Sequence, residues 1–366
     1  MSGEGGPVLV VGGGPAGASA AAMLARRGRQ VTLLERTTGP HHKICGEFLS
    51  WEGRRMLARI GAEIPQGAPI DRLRVVTPRA VRLVPLPGEA VGLSRYHLDE
   101  ALLDFAATEG AELRRGVRAR ALVDGKLDLG GEDIPDTADI ILATGKTDLR
   151  GVQRPAGGSR VTNDLTGFKL HLRLSAREGA ALDRTIELHR LPSGYAGLQP
   201  IEDGKANLCL LVATEDAERW NDPLSQIERA VPALARRLAG AESLYERPLA
   251  ISRVPYGLLR GPVPGALAVG DQHGVIHSFT GDGLSLALAS GIGAGLLLGR
   301  AADPHRRIHD VMAPPVRRAA RLYRFLNASS QFLGVAAMIP ASFALMAKFT
   351  RVNSATVDAI VTESGT

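Results

Sequence analysis

PVLVVGGGPAGASAAAMLARRGRQVTLLER, residues 7–36, decides the fold. Residues 7–11 form a short continuous apolar run, the pattern of a parallel strand covered on both faces. Gly12, Gly14 and Gly17 then satisfy G-x-G-x-x-G. The first glycine permits a tight turn, the second lets backbone approach a pyrophosphate, and the third lets a helix pack against the strand. That helix opens on Pro15 and Ala16 and offers free N–H groups and a positive dipole end to phosphate. VTLLE reads as the second strand. It ends at Glu35, followed by Arg36, where an acid about 20 residues past the glycines holds ribose hydroxyls. Strand, glycine turn, helix, strand and acid occur in the order that a dinucleotide site requires.

Two later stretches separate a flavin from a nicotinamide. ADIILATG, residues 138–145, is a second apolar strand that ends on Thr144 and Gly145. ALAVGDQHGVIHSFTGDGLSLALASG, residues 266–291, is a third strand, a glycine-bearing loop and a helix. Asp271, at the strand's end, can accept hydrogen bonds from a ribityl chain. Gly281, Gly283 and Leu284 open a helix whose N–H groups suit the pyrimidine edge of a reduced flavin. The three pieces together predict bound FAD in a discontinuous Rossmann-like α/β domain.

With these motifs in place, the chain resembles the FAD-dependent oxidoreductases of the p-hydroxybenzoate-hydroxylase fold, and within them the geranylgeranyl-reductase-related branch. The resemblance spans roughly residues 7–300. It implies that Arg95, in LSRYHLDEALLDFA, contacts FAD and that Asp99 supports it. It also implies that residues 41–50 cover the isoalloxazine, because KICGE resembles the family's K-x-C-G-G. Lys43, Cys45 and Gly46 match, while Glu47 stands at the second glycine. A cysteine there reads either as a small apolar wall or as a tuned thiol.

Other positions depart from the family pattern. ATGKTDLRG has Thr144 where hydroxylases carry an aspartate and Asp148 where they carry a serine. YAGLQP keeps Tyr195 and Pro200 of the isoprenoid reductases' YxWxFP but has Gly197 and Gln199 in place of both aromatics. Tyr195, Gln199 and Pro200 are the expected substrate contacts. A proline is usual where Ser278 stands. His277, just before it, and Cys45 are the expected catalytic residues, the histidine as a proton donor or acceptor near neutral pH.

The expected FAD domain comprises residues 1–69, 94–158 and 251–310. Residues 70–93 and 159–250 read as a substrate domain. FKLHLRL, TIELHRL, GYAGLQP and ANLCLLV alternate like antiparallel strands with one exposed face. Residues 222–238 read as one amphipathic helix, and residues 311–366 as a C-terminal helical segment. Its apolar part, 332–349, reads as a packed or membrane-surface helix pair interrupted by Pro340.

The 366 residues are 45% hydrophobic with a net charge of +6. Basic residues are dispersed, which argues against nucleic-acid binding. Two cysteines fit a reducing compartment, so a cytoplasmic protein is expected, with peripheral membrane association left open. His41, His42 and Cys45 lack a second ligand cluster, so no metal is expected. The leading functional expectation is oxidation, such as monooxygenation, of a small apolar or aromatic metabolite. Reduction of a carbon–carbon double bond in an isoprenoid lipid is the alternative, and a flavin electron carrier without its own substrate the third. NAD(P)H and a protein electron donor both stay open as sources of electrons.

Overall fold

The computed structural model describes residues 5–131, 138–154, 164–220, 222–328 and 351–352. Val8–Val11 (β1) is the middle strand of a five-stranded parallel sheet. Val31–Glu35 (β2) and Glu112–Arg115 (β6) lie to one side, Asp139–Leu142 (β9) and Leu267–Ala268 (β16) to the other. All four residues of β1 are buried, because it has strands on both edges and packed side chains on both faces. The apolar run is therefore unbroken rather than alternating.

The helix Pro15–Arg26 crosses between β1 and β2. Its alanines 18, 20, 21 and 22 have no exposed surface. They allow close approach to the helix Gly283–Leu297, which is apolar all round. A Cβ on Gly291 would lie 2.1 Å from the carbonyl oxygen of Ala16, and one on Gly295 2.5 Å from Cβ of Met23. The small residues of SGIGAG thus let backbone meet side-chain-free backbone.

A second sheet has nine strands. They are Phe48–Leu49 (β3), Ala68–Val76 (β4), Val81–Gly92 (β5), Leu165–Arg173 (β10), Thr185–Leu191 (β11), Gly194–Pro200 (β12), Ala206–Ala213 (β13), Glu242–Ser243 (β14) and Leu249–Ser252 (β15). The order is β14-β10-β13-β12-β11-β4-β5-β3, with β15 also paired to β10. Every pairing is antiparallel except β4 with β11. Strands β3, β4 and β15 bring residues from outside the expected substrate segments into this sheet. Ala121–Val123 (β7) and Lys126–Asp128 (β8) form a separate hairpin.

Two expectations need correction. The alternating strands do not leave one face to water. Leu170, Leu172, Leu198, Leu208 and Leu210 form one apolar core with short helices. On the opposite face Lys169, His171, Gln199 and Asn207 are at most 3% exposed. They are polar because that face binds a loop rather than solvent. The expected helix over 222–238 is two helices, Pro223–Ala230 and Pro232–Leu238. Asp222 caps the first by accepting from the Leu224 and Ser225 N–H groups. Pro232 has no N–H to continue it, and Val231 leaves helical geometry at φ −134, ψ 85.

The helix Pro304–Ala328 follows the FAD-type core. The apolar stretch 332–349 lies outside the described residues. Among the described residues no helix is long and apolar enough to cross a membrane.

The helix contact predicts that Gly291→Val, which overpacks a buried site, lowers stability by about 1–3 kcal/mol or more. Gly179 lies in the helix Ala176–Leu182 and has open space around its Cβ direction. Gly179→Ala should therefore raise stability by about 0.5–1 kcal/mol. Urea midpoints of the two variants check the contrast.

Candidate functional site

The C-terminal ends of β1, β2 and β9 open onto a cavity of about 370 Å³. Gly12, Gly14, Glu35, Arg36, Arg95, Thr144, Gly145 and Asp271 all line it. Pro15, Ala16 and Gly17 lie behind it as the buried first turn of the crossover helix. Gly12 has φ +111, and a Cβ there would sit 2.5 Å from the Ala143 oxygen. A Cβ on Gly17 would lie 1.9 Å from the Gly12 oxygen. Gly14 is the N-cap, without a side-chain cap and without an acid in the first turn. The terminal N–H groups are thus left for an anion.

Glu35 organises this turn. One carboxylate oxygen accepts from the Gly13 N–H at 2.9 Å, the other from the Thr37 N–H and hydroxyl at 3.1 and 3.0 Å. Burial pushes its pKa up, but the Lys43 charge and these hydrogen bonds outweigh burial and hold it below the usual carboxylate value. Across the cavity, Arg95 grips Asp99 with two N–H groups at 2.5 and 2.8 Å, and Lys43 donates to the same carboxylate at 2.8 Å. Arg95 also stands over Gly14, within 3.3 Å of where a Cβ would be.

Lys146, absent from the sequence expectations, forms an ion pair with Asp271 at 3.0 Å. The signal for it lay in ATGKTDLRG, a cation beside a strand end. Its pKa is raised, chiefly by Asp271. The Thr144 hydroxyl donates to the Thr147 carbonyl at 2.6 Å, so it serves its own turn. Gly281 has φ +68 and packs on Phe48, and Gly283 opens its helix into free space. These two, Leu284, Cys45 and Gly46 fall outside the cavity lining.

The loop before β3 explains the polar sheet face. Glu47 adopts φ +57, a left-handed conformation that suits glycine. Its fully buried carboxylate is bound by Lys169 Nζ, by His171 Nε2 at 2.6 Å, and by the Arg95 N–H at 2.9 Å. Four side chains of the sheet, Lys169 again among them, hold the loop's carbonyls. Lys169 reaches Lys43 O at 2.9 Å, Asn207 reaches Gly46 O at 2.8 Å, Gln199 reaches Glu47 O at 2.8 Å, and the Cys209 thiol reaches Cys45 O at 3.3 Å. The strand register places Lys169 opposite Cys209, and Asn207 opposite both His171 and Gln199. Gln199 was expected to meet substrate. Its amide N–H is instead committed to the loop, and Pro200 packs against Gly92. Burial pushes the Glu47 pKa up, yet His171 and Lys169 bring it net below the ordinary value.

His277 is 1% exposed, with its ring centroid 4.1 Å from Tyr323 and 5.1 Å from Tyr256. Phe279 lies 6.0 Å away. Neither ring nitrogen has a hydrogen-bond partner among the described residues. Burial lowers its pKa to about 3, which corrects the expectation of a group titrating near neutrality. The Ser278 hydroxyl donates to the Tyr256 hydroxyl at 2.9 Å. Tyr195, Tyr256 and Tyr323 pack in one apolar cluster, and the charges of Lys146 and Asp271 act on Tyr256. The aromatic cluster therefore adjoins the cavity's Lys146–Asp271 end. Tyr256, Phe279 and Tyr323 were missed because no short motif links them. Among the described residues no three His, Cys, Asp or Glu side chains have metal-site geometry.

Residues 6–125 match the family described as FAD binding domain. Menaquinone reductase of Mycolicibacterium smegmatis is 26% identical over 321 residues, which cover 78% of this chain and 74% of that protein. Digeranylgeranylglycerophospholipid reductase 2 of Methanopyrus kandleri is 29% identical over 314 residues, covering 79% and 75%. Among solved structures, a geranylgeranyl bacteriochlorophyll reductase-like protein from Thermoplasma acidophilum superposes with a TM-score of 0.69 at 18% identity, covering 98% of this chain and 96% of that one. A flavin-dependent brominase superposes with a TM-score of 0.72 at 17% identity, covering 97% and 98%. At these identities the superpositions establish the fold alone. FAD is the cofactor that the glycine turn, the uncapped helix and the Arg95 and Asp271 positions fit.

The loop clamp predicts that Glu47→Gln costs about 3–5 kcal/mol at neutral pH, because Lys169 loses its buried counter-charge. The lowered Glu47 pKa stabilises the fold fully above the ordinary value of 4.5, and this contribution is lost as pH falls below it. The stability gap between wild type and variant should therefore narrow below pH 4.5. Denaturant titrations across that range measure it.

Proposed function

We propose that this FAD-dependent oxidoreductase reduces a carbon–carbon double bond in an apolar, isoprenoid-type lipid. The observation that carries this reading is the aromatic cluster of Tyr195, Tyr256, Phe279 and Tyr323 around a histidine kept neutral. It restores, from separate elements, the aromatic surface that the YAGLQP stretch lacks. An uncharged aromatic cluster favours a planar unsaturated hydrocarbon over a charged metabolite as its neighbour. The two curated relatives are named as reductases of a quinone and of a geranylgeranyl lipid. Their names favour this reading over oxygenation.

Reduced FAD supplies the hydride for such a reaction. The protein's own groups supply the rest. Burial raises the pKa of Tyr195 and Tyr256, so both phenols stay protonated at neutral pH. Tyr256, oriented by Ser278 and adjoining Lys146, is the group assigned to deliver a proton to the second carbon. His277 stacks and excludes water, and does not carry charge. Lys146 and Asp271 fix the electrostatics at the cofactor end of the cluster. The loop clamped by Lys169, His171, Gln199 and Asn207 sets the distance between cofactor and substrate.

The test is a single turnover without an external electron donor. The holoenzyme is reduced with dithionite under anaerobic conditions and mixed with a geranylgeranyl lipid or menaquinone. Flavin should reoxidise in a lipid-dependent step, and the product should gain two hydrogens. Tyr256→Phe should slow that step by about 10²–10⁴-fold while lipid affinity changes little. Silence with both lipids, together with an oxygenated product from an aromatic substrate in air, would establish the oxidative reading instead.

A further inference from the structure

The chain has two cysteines, 164 residues apart, and the fold brings them to one place. The Cys209 thiol points at the carbonyl oxygen of Cys45, 3.3 Å away. Both side chains are half-buried and neither is in a disulfide. Cys209 occupies the polar face of β13, opposite Lys169 on one neighbour and Gly197 on the other. Cys45 has its sulfur held by the Glu47 N–H at 3.4 Å, and it interacts with both Arg95 and Lys146. The Cys209 thiol is pushed up to about 12 by burial and by Cys45, so it stays protonated at neutral pH.

We propose that Cys45 and Cys209 are a redox-closing thiol pair, in which a peroxide oxidises Cys45 and Cys209 resolves it to a disulfide. In the first step the Cys45 thiolate attacks one peroxide oxygen, the O–O bond breaks, and a sulfenic acid and hydroxide form. In the second, the Cys209 sulfur attacks the Cys45 sulfur, an S–S bond forms, the S–O bond breaks, and the departing oxygen takes the Cys209 proton. The net change is two thiols and one hydrogen peroxide giving one disulfide and two waters. The geometry needs Cys209 to swing from the carbonyl of Cys45 to the sulfur of the same residue. The bond would join the loop before β3 covalently to the substrate sheet, at the point where the two already meet by hydrogen bonds. An external dithiol reverses it by exchange.

The experiment treats the FAD-loaded protein with hydrogen peroxide, then counts free thiols by alkylation and measures the intact mass. The expected result is loss of both thiols, a mass lower by two hydrogens, a monomer on a non-reducing gel, and recovery with dithiothreitol. A peptide cross-linking Cys45 to Cys209 should be found after proteolysis. Cys209→Ser should instead accumulate a dimedone-reactive sulfenic acid on Cys45. Two thiols that still alkylate at a dose that oxidises a control dithiol protein would overturn the proposal. So would intermolecular dimers alone, or wild-type protein that gains only oxygen. The wild-type thiol count decides the matter even where the serine variant fails to fold.

Discussion

The buried carboxylate of Glu47 is the interaction on which the site's architecture depends. A fully desolvated charge is tolerated only where paired and hydrogen-bonded. Here Lys169 and His171 supply the pairing and the Arg95 N–H a further bond. Lys169 lies 122 residues further along the chain, on β10 of the nine-stranded sheet. A single ion cluster thus fixes the loop that lines the cavity to the strands of the nine-stranded sheet. The remaining sheet donors to that loop, from Gln199, Asn207 and Cys209, need this placement to reach their acceptors. The left-handed backbone at Glu47 is accepted in exchange for that network.

From this constraint the rest of the site follows in layers. The glycine turn and Glu35 shape a phosphate-facing mouth. Arg95 and Asp99 join that mouth to the loop through Lys43. Lys146 and Asp271 connect it to Tyr256 and the aromatic cluster.

Much of this was legible in local sequence. The motif around Gly12, the strand ends at Thr144 and Asp271, and the helix starting at Arg95 are short-range patterns with fixed backbone roles, and the FAD domain match over residues 6–125 spans the first and the last of them. The break before Pro232 was missed although its signal is local, since a proline inside a helical period interrupts it. The roles of Lys169, His171 and Asn207 were not readable. Period-two alternation tells which residues share a face, and it assigns the polar face to water by default. Only the long-range arrival of residues 43–47 turns that face inward. His277 was misread for the same reason. Its neighbours Tyr256 and Tyr323 come from separate elements, and together they bury a ring that the loop sequence alone leaves in solvent.

The loop over residues 43–47 and the nine-stranded sheet form one unit held by the Glu47–Lys169 pair. The most direct measurement is the rate of FAD release, followed by the rise in free-flavin fluorescence, for wild type, Glu47→Gln, Lys169→Met and the double variant. The account predicts that each single variant releases FAD faster and that the double variant is slowed back toward wild type, because no buried charge is left unpaired. Single effects that simply add, or release rates that do not change, would contradict it.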